Sequence, residues 1–193
     1  MQFIGDFSVE PQICDRLIEL HRACDRQGLA KAGRLYLGGK DDTTVDVGKK
    51  ESFDVRVGDI PDGLQSEYGV PLYIRELQRC TQEYLARFPH LGKVAFGVTE
   101  SPLIQHYRPG GGFKSEHFER MNLSTATRVL VWMTFLNDVT DAGGTRFVYQ
   151  DRTFEARKGR TLIWPPDFTH THVGVVSPSE HKYIITGWFN FAA

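Results

Sequence analysis

The chain has 193 residues, 40% hydrophobic and 24% charged, which suits one globular domain with its own core and excludes wholesale disorder or a fibrous repeat. With 23 Lys+Arg against 24 Asp+Glu the formal net charge is −1, so no global electrostatic pull toward nucleic acid or an anionic membrane exists. The longest apolar run, Val129 to Leu136, is far too short to span a bilayer as a helix. The stretch from Met1 to Asp6 lacks the basic start and apolar run of a secretory signal, and a cytoplasmic location is expected. Cys14, Cys24 and Cys80 form no CxxC motif and are odd in number, which predicts neither a disulfide framework nor a thiolate metal site.

The first third reads as helical. From Val9 to Gln27 the apolar positions Ile13, Leu17, Ile18, Leu20 and Ala23 recur at three- and four-residue spacing, with Ser8 as the expected N-cap and Gly28 as the stop. The stretch Gly33 to Lys50 carries Gly38-Gly39, Gly48 and a polar run from Lys40 to Thr44. It reads as a long connection with a candidate short hairpin, and long loops of this kind are often lids. A second helix is expected after Gly69, with Leu72, Ile74, Leu77, Tyr84 and Leu85 toward the core, ending before Pro89.

After Gly92 the pattern changes to short segments rich in β-branched and aromatic residues: 94–99, 103–107, 128–136, 145–149, 161–164 and 182–191. Turn formers separate them, including Pro109-Gly110-Gly111-Gly112, Gly143-Gly144 and Pro165-Pro166. The fold class is α+β, mainly β: a sandwich, jelly roll or barrel with helices packed on one side. Residues 1–193 form one expected domain, with 1–92 as helical support and candidate lid and 93–191 as the β core.

Five of the seven histidines fall in the β-rich half, and His117 is followed two residues later by Glu119. In an extended segment, residues i and i+2 share a face, so one stretch can present an imidazole and a carboxylate together. A third ligand is available from His170 or His172, which would share a face if that segment is extended. Two histidines and one carboxylate on one side of a metal, with the other side open, form the ligand set of non-haem Fe(II) oxygenases.

The segment from Gln105 to Glu119 resembles the strand and Gly-rich turn leading into the first metal ligands of prolyl 4-hydroxylase-like 2-oxoglutarate oxygenases. Residues 128–137, followed by Gly143-Gly144-Thr145-Arg146-Phe147, are similar to the family's next stretch, and Gly159 to Pro165 leads on to His172, Lys182 and Trp188. The resemblance covers roughly residues 101–191. It implies a double-stranded β-helix (jelly-roll) core and supporting N-terminal helices. It also implies Fe(II) held by His117, Glu119 and His172, the last chosen over His170 because Lys182 follows ten positions later. The family usually has HxD, so Glu119 is one methylene longer.

The same resemblance implies that Lys182 binds the distal carboxylate of 2-oxoglutarate, with Tyr107 and Thr186 nearby and Thr145 a weaker candidate. Lys182 opens an apolar run, and a charge turned into a barrel needs an anionic partner. O2 is the implied second co-substrate, with ascorbate as a candidate reductant. The implied reaction hydroxylates an unactivated C–H bond of a peptidyl residue, proline being one candidate, or of a free amino acid or small metabolite, with release of succinate and CO2. No catalytic side chain is expected beyond the metal centre. His106 is expected to pack away from Tyr107, Trp188 to wall the pocket or pack, and Arg128 and Arg146 to line a channel or flank strands. A nucleic-acid substrate is disfavoured by the near-neutral charge. The alternative from another class is a non-catalytic cupin-like barrel that binds metal or a small ligand. Composition does not determine the prime substrate or the oligomeric state.

Overall fold

The computed structural model describes residues 3–36 and 43–192. In chain order the strands and helices are β1 (Gly5–Ser8), α1 (Pro11–Arg26), β2 (Lys31–Ala32), β3 (Leu35–Tyr36), β4 (Thr43–Thr44), β5 (Lys50–Glu51), β6 (Phe53–Arg56), α2 (Asp62–Glu67) and α3 (Val70–Arg87). They continue with β7 (Phe96–Gly97), β8 (Leu103–Tyr107), β9 (Gly112–Phe113), β10 (Arg128–Phe135), β11 (Thr145–Phe147), β12 (Arg152–Phe154), β13 (Arg160–Trp164), β14 (His172–Gly174) and β15 (Lys182–Phe191).

The major sheet runs β1-β13-β10-β15-β8-β6-β2, with β7 also paired to β15, and the minor sheet runs β12-β11-β14. Every pairing is antiparallel. This is the expected mainly-β jelly roll with helices on one side. Three of the major sheet's strands, β1, β2 and β6, come from the stretch that reads as helical. They are two to four residues long, too short for a period-two pattern to register.

The helix limits also differ from expectation at one end. Ser8 closes β1 rather than capping α1; Glu10 is the N-cap and Pro11 opens the helix, where its missing N–H costs nothing. Gly28 follows α1 at φ +73°, and Gly69 precedes α3 at φ +80°. The Gly33–Lys50 connection does hold a two-stranded hairpin, β3 with β4. Its expected tip, including Gly38-Gly39, falls at residues 37–42, outside the described residues.

Alternation along the central strands divides the interior in two. On β10, Leu130 and Trp132 join the cluster under the helices, with Leu17, Tyr73 and Leu77, whereas Val131, Met133 and Phe135 join the cluster between the sheets, with Phe147, Leu162 and Trp164. Both faces of β10 are therefore covered, and all eight residues are buried. On β15, Tyr183, Ile185 and Phe189 face the helices. Lys182, Ile184, Thr186 and Trp188 line a cavity of about 650 Å³ on the opposite face.

Gly187 is required in this stack: it pairs with Trp132, and a Cβ there would stand 2.5 Å from the indole. Helix α3 is tied to the sheet by a buried hydroxyl chain, Tyr73 to Thr134 (2.8 Å) and Thr134 to Thr161 (2.7 Å). Among the described residues no helix is long and apolar enough to cross a membrane.

Candidate metal centre

The loop after β9 runs beside β14, and a reciprocal pair of backbone hydrogen bonds joins His117 to His172 (3.0 and 2.9 Å). The amides of Glu119 and Arg120 both donate to the carbonyl of Pro166 at 3.0 Å. These backbone contacts bring the three side chains together. Glu119 Oε1 stands 3.5 Å from His117 Nε2 and 3.6 Å from His172 Nε2. Among the described residues His117, Glu119 and His172 are the one group of three that could hold a metal ion.

The tautomers are fixed by the backbone. His117 Nδ1 lies 2.9 Å from the carbonyl of Ser115, and His172 Nδ1 lies 3.0 Å from the carbonyl of His170. A carbonyl can only accept, so both Nδ1 atoms carry hydrogen and both Nε2 lone pairs face Glu119. Burial, with His117 alongside, lowers the affinity of His172 for a proton, which keeps the ring neutral. Burial raises the Glu119 carboxyl, but the hydrogen bonds and charge that the two histidines supply when they also carry an Nε2 proton outweigh it and hold the group well below the usual carboxylate range; a metal ion would take the place of those protons. Ligands about 2.1 Å from one ion and roughly 90–110° apart stand about 3.0–3.4 Å from each other. The two carboxylate–imidazole separations come within a few tenths of an ångström of that, and the donor set of two neutral imidazoles and one carboxylate suits Fe(II).

His170 is not interchangeable with His172. It ends a 3-10 turn, Phe168–His170, so the segment is not extended and the two side chains do not share a face. Its contribution to the site is its carbonyl. Phe113 lies flat on His117, with ring centroids 3.6 Å apart and planes 9° from parallel.

The same cavity is lined by Tyr107, Thr145, Lys182, Thr186 and Trp188. Lys182 Nζ donates to the carbonyl of Gly143 at 3.0 Å and lies 4.9 Å from the centre of the Tyr107 ring. Gly143 reaches this position at φ +72°, with its α-carbon so close to Val139 that a Cβ would meet it at 2.4 Å. The Tyr107 hydroxyl donates to Gln105 Oε1 (2.7 Å), and the Thr186 hydroxyl to the carbonyl of Trp132 (2.9 Å). His106 points to the opposite face, stacked on Tyr183. Arg146 is outside the site, exposed and 3.9 Å from Asp151.

Further residues acquire a definite place around the site only through the structure, among them Arg128, which the sequence offers simply as a channel-lining or strand-flanking charge. Arg128 is buried, pairs with Glu100 through two hydrogen bonds (2.9 and 2.7 Å), and reaches the Glu119 backbone carbonyl at 2.8 Å. Lys50, also buried, lines the cavity and is neutralised by Asp54 at 2.7 Å. Exposed Arg34, Lys49, Glu116 and Met121 surround the cavity's outer end.

Comparison with known proteins follows the same lines. The sequence model of the 2OG-Fe(II) oxygenase superfamily matches residues 102–190. No curated protein matches the chain by sequence. Among solved structures, it is similar to a viral collagen prolyl hydroxylase from Paramecium Bursaria Chlorella virus-1 (TM-score 0.68, 17% identity, covering 99% of this chain and 97% of that one). It is similar to a Pseudomonas putida prolyl-4-hydroxylase (TM-score 0.70, 15% identity, 98% and 94%). A third likeness is to a Trichoplax adhaerens prolyl hydroxylase in complex with a hypoxia inducible factor oxygen degradation domain peptide fragment (TM-score 0.70, 15% identity, 97% and 84%).

Proposed function

We propose, from the match of residues 102–190 to the sequence model of the 2OG-Fe(II) oxygenase superfamily, that this chain is a dioxygenase that hydroxylates a peptidyl prolyl residue, with His117, Glu119 and His172 holding Fe(II) and Lys182 holding the distal carboxylate of 2-oxoglutarate. One observation carries the assignment of residues: the His117, Glu119 and His172 donor atoms converge on the wall of a cavity that also contains a buried lysine. When bound, the iron supplies the chemistry that couples decarboxylation of 2-oxoglutarate, giving succinate and CO2, to insertion of one oxygen atom of O2 into a C–H bond.

The protein's share of the work is binding, orientation and exclusion of water. The Ser115 and His170 carbonyls hold the imidazoles in the ligating tautomer. Lys182 offers an anion a charge-assisted hydrogen bond inside a largely apolar wall, where such a bond is strong. Tyr107 and Thr186 line the same space, their hydroxyl protons held by Gln105 Oε1 and the Trp132 carbonyl. Trp164, Met133 and Ile184 close the inner end with apolar surface. Proline is favoured as substrate because three of the solved structures that match over nearly the whole chain are prolyl hydroxylases, one of them in complex with a peptide fragment.

The test is an anaerobic titration of the metal-free protein with Fe(II) and 2-oxoglutarate, following the visible charge-transfer band of the chelate. The band should require both additions and vanish in His117→Ala. Succinate release driven by proline-containing peptides then tests the substrate. A folded protein that gives no band removes the metal assignment, and a band without peptide-driven turnover removes the substrate.

A further inference from the structure

Glu119 is a glutamate where an aspartate is usual, and its two oxygens have different neighbours. Oε1 faces the two imidazoles. Oε2 accepts the indole N–H of Trp188 at 3.0 Å and lies 3.4 Å from Arg128 Nη1. Neither donor is free to move. The Arg128 guanidinium is buried, held by Glu100 through Nε and Nη2, and stacked 3.8 Å over the Trp188 ring centre. Its Nη1 is occupied further by the Glu119 carbonyl at 2.8 Å. Trp188 is fixed in β15, paired with Val131 of β10.

Shortening residue 119 by one methylene withdraws its carboxylate by about 1.5 Å, one C–C bond length. An aspartate could then meet either the imidazoles or the rigid clamp, but not both. We propose that Trp188 and Arg128 are positioning residues that hold Oε2 of Glu119, so that Oε1 alone is presented to the metal, and that this clamp is built for glutamate. The proposal rests on the metal-site reading given above. It makes Glu119→Asp a damaging change in this chain, and it gives Trp188 a role that its packing alone would not predict.

Co(II) binding to the metal-free protein, read from the visible d–d spectrum without turnover, tests it in wild type, Trp188→Phe, Glu119→Asp and the double variant. Trp188→Phe keeps an aromatic face for Arg128 to stack on but removes the N–H donor together with one of the two fused rings. It should weaken Co(II) binding about tenfold, the cost typical of losing a hydrogen-bond partner of a metal ligand, and change the band intensities as the released Oε2 joins the coordination sphere. Glu119→Asp should weaken binding by at least as much. In the Glu119→Asp background Trp188→Phe should add less than about a twofold loss, because an aspartate that reaches the metal has already left the indole and one that keeps the indole has already left the metal.

Wild-type affinity in Glu119→Asp overturns the proposal. So does an equal loss from Trp188→Phe in both backgrounds, which is the mark of a merely structural role. Should Trp188→Phe fail to fold, Glu119→Asp decides alone, since it lies on the cavity wall. Absence of Co(II) binding to folded wild type would instead remove the metal-site reading.

Discussion

Lys182 and Gly143 meet deep in the cavity wall, the ammonium donating to the carbonyl oxygen at 3.0 Å, and no carboxylate of the described residues accompanies them. A buried ammonium satisfied by one carbonyl and the face of Tyr107 is costly, and burial lowers the pKa of Lys182 from 10.5 to about 8. Such a group is poor structural cement but a good receptor for an anion. Replacing it by methionine should therefore move two observables in opposite directions. The affinity for 2-oxoglutarate should fall about a hundredfold, the loss expected for a charge-assisted hydrogen bond, while the melting temperature of the ligand-free protein holds or rises. Calorimetric titration and thermal melts on the same preparation check both; a Lys182→Met protein that binds the co-substrate normally would place the distal carboxylate elsewhere.

The same lysine sets a pH dependence. Unfolded, it titrates near 10.5; folded, near about 8. Below about pH 8 both states carry the proton and the folded protein bears the full cost of the buried charge. Between about 8 and 10.5 only the unfolded state binds it, so this contribution to stability improves as pH rises. Binding of 2-oxoglutarate runs the other way, because the bound carboxylate favours the protonated amine. Affinity should be flat below about pH 8 and then fall by up to tenfold per unit. In Lys182→Arg, whose guanidinium stays charged, any residual affinity should show no such break. Titration of wild type and Lys182→Arg across this range measures it, and a wild-type affinity unchanged above the break would remove the ion pair.

His106 provides an acid-sensitive element behind the sheet. It stacks on Tyr183 with centroids 4.2 Å apart, bonds His181 Nδ1 at 2.9 Å, and lies beside His21, with Phe53, Arg22 and Arg108 around it. Burial and these cationic neighbours lower its pKa to about 4. A base depressed in the folded state contributes its full stability above 6.5 and loses it as pH falls toward about 4, because the unfolded chain takes up the proton first. At pH 5 this amounts to about 2 kcal/mol. His106→Phe should thus be destabilised at neutral pH by about 1 kcal/mol, for the lost hydrogen bond, yet show a flatter decline in stability between about pH 6.5 and 5. Urea unfolding at several pH values distinguishes this from a uniform loss.

How much of this was readable in the sequence depended on the range of the interaction. Local periodicity was enough for α1 and α3 and for β8, β10 and β15, which are long or strongly patterned. It was also enough to set His106 on the face opposite Tyr107. The strands β1 and β6 carry only four residues each and derive their identity from partners on β13 and β8, far along the chain. Lys182 stood out as a charge opening an apolar run. Arg128 did not, because its meaning lies in Glu100, 28 positions away, and in Trp188 across the sheet. Strand periodicity left His170 and His172 equivalent, and only the resemblance, through the spacing to Lys182, favoured His172; the turn at 168–170 separates the two side chains physically, and nothing in the local composition announces a 3-10 turn there.

That distinction yields the last prediction. His172 uses Nε2 toward Glu119 and donates Nδ1–H to the carbonyl of His170, so what it requires from residue 170 is a backbone atom. Removing the His170 side chain leaves that acceptor in place; removing the His172 side chain deletes one of three ligands. His172→Ala should abolish the Fe(II)/2-oxoglutarate charge-transfer band. His170→Ala should retain it, with metal affinity reduced by no more than about tenfold, since the loss acts only through ligand orientation. Buried His170 also bonds Thr169 through its ring, so some thermal destabilisation is expected in the second variant. The ratio of metal affinities, measured after circular dichroism confirms folding, is the deciding quantity: equal losses in the two variants would mean that the turn does not hold His170 out of the coordination sphere, and a larger loss in His170→Ala would exchange the two assignments.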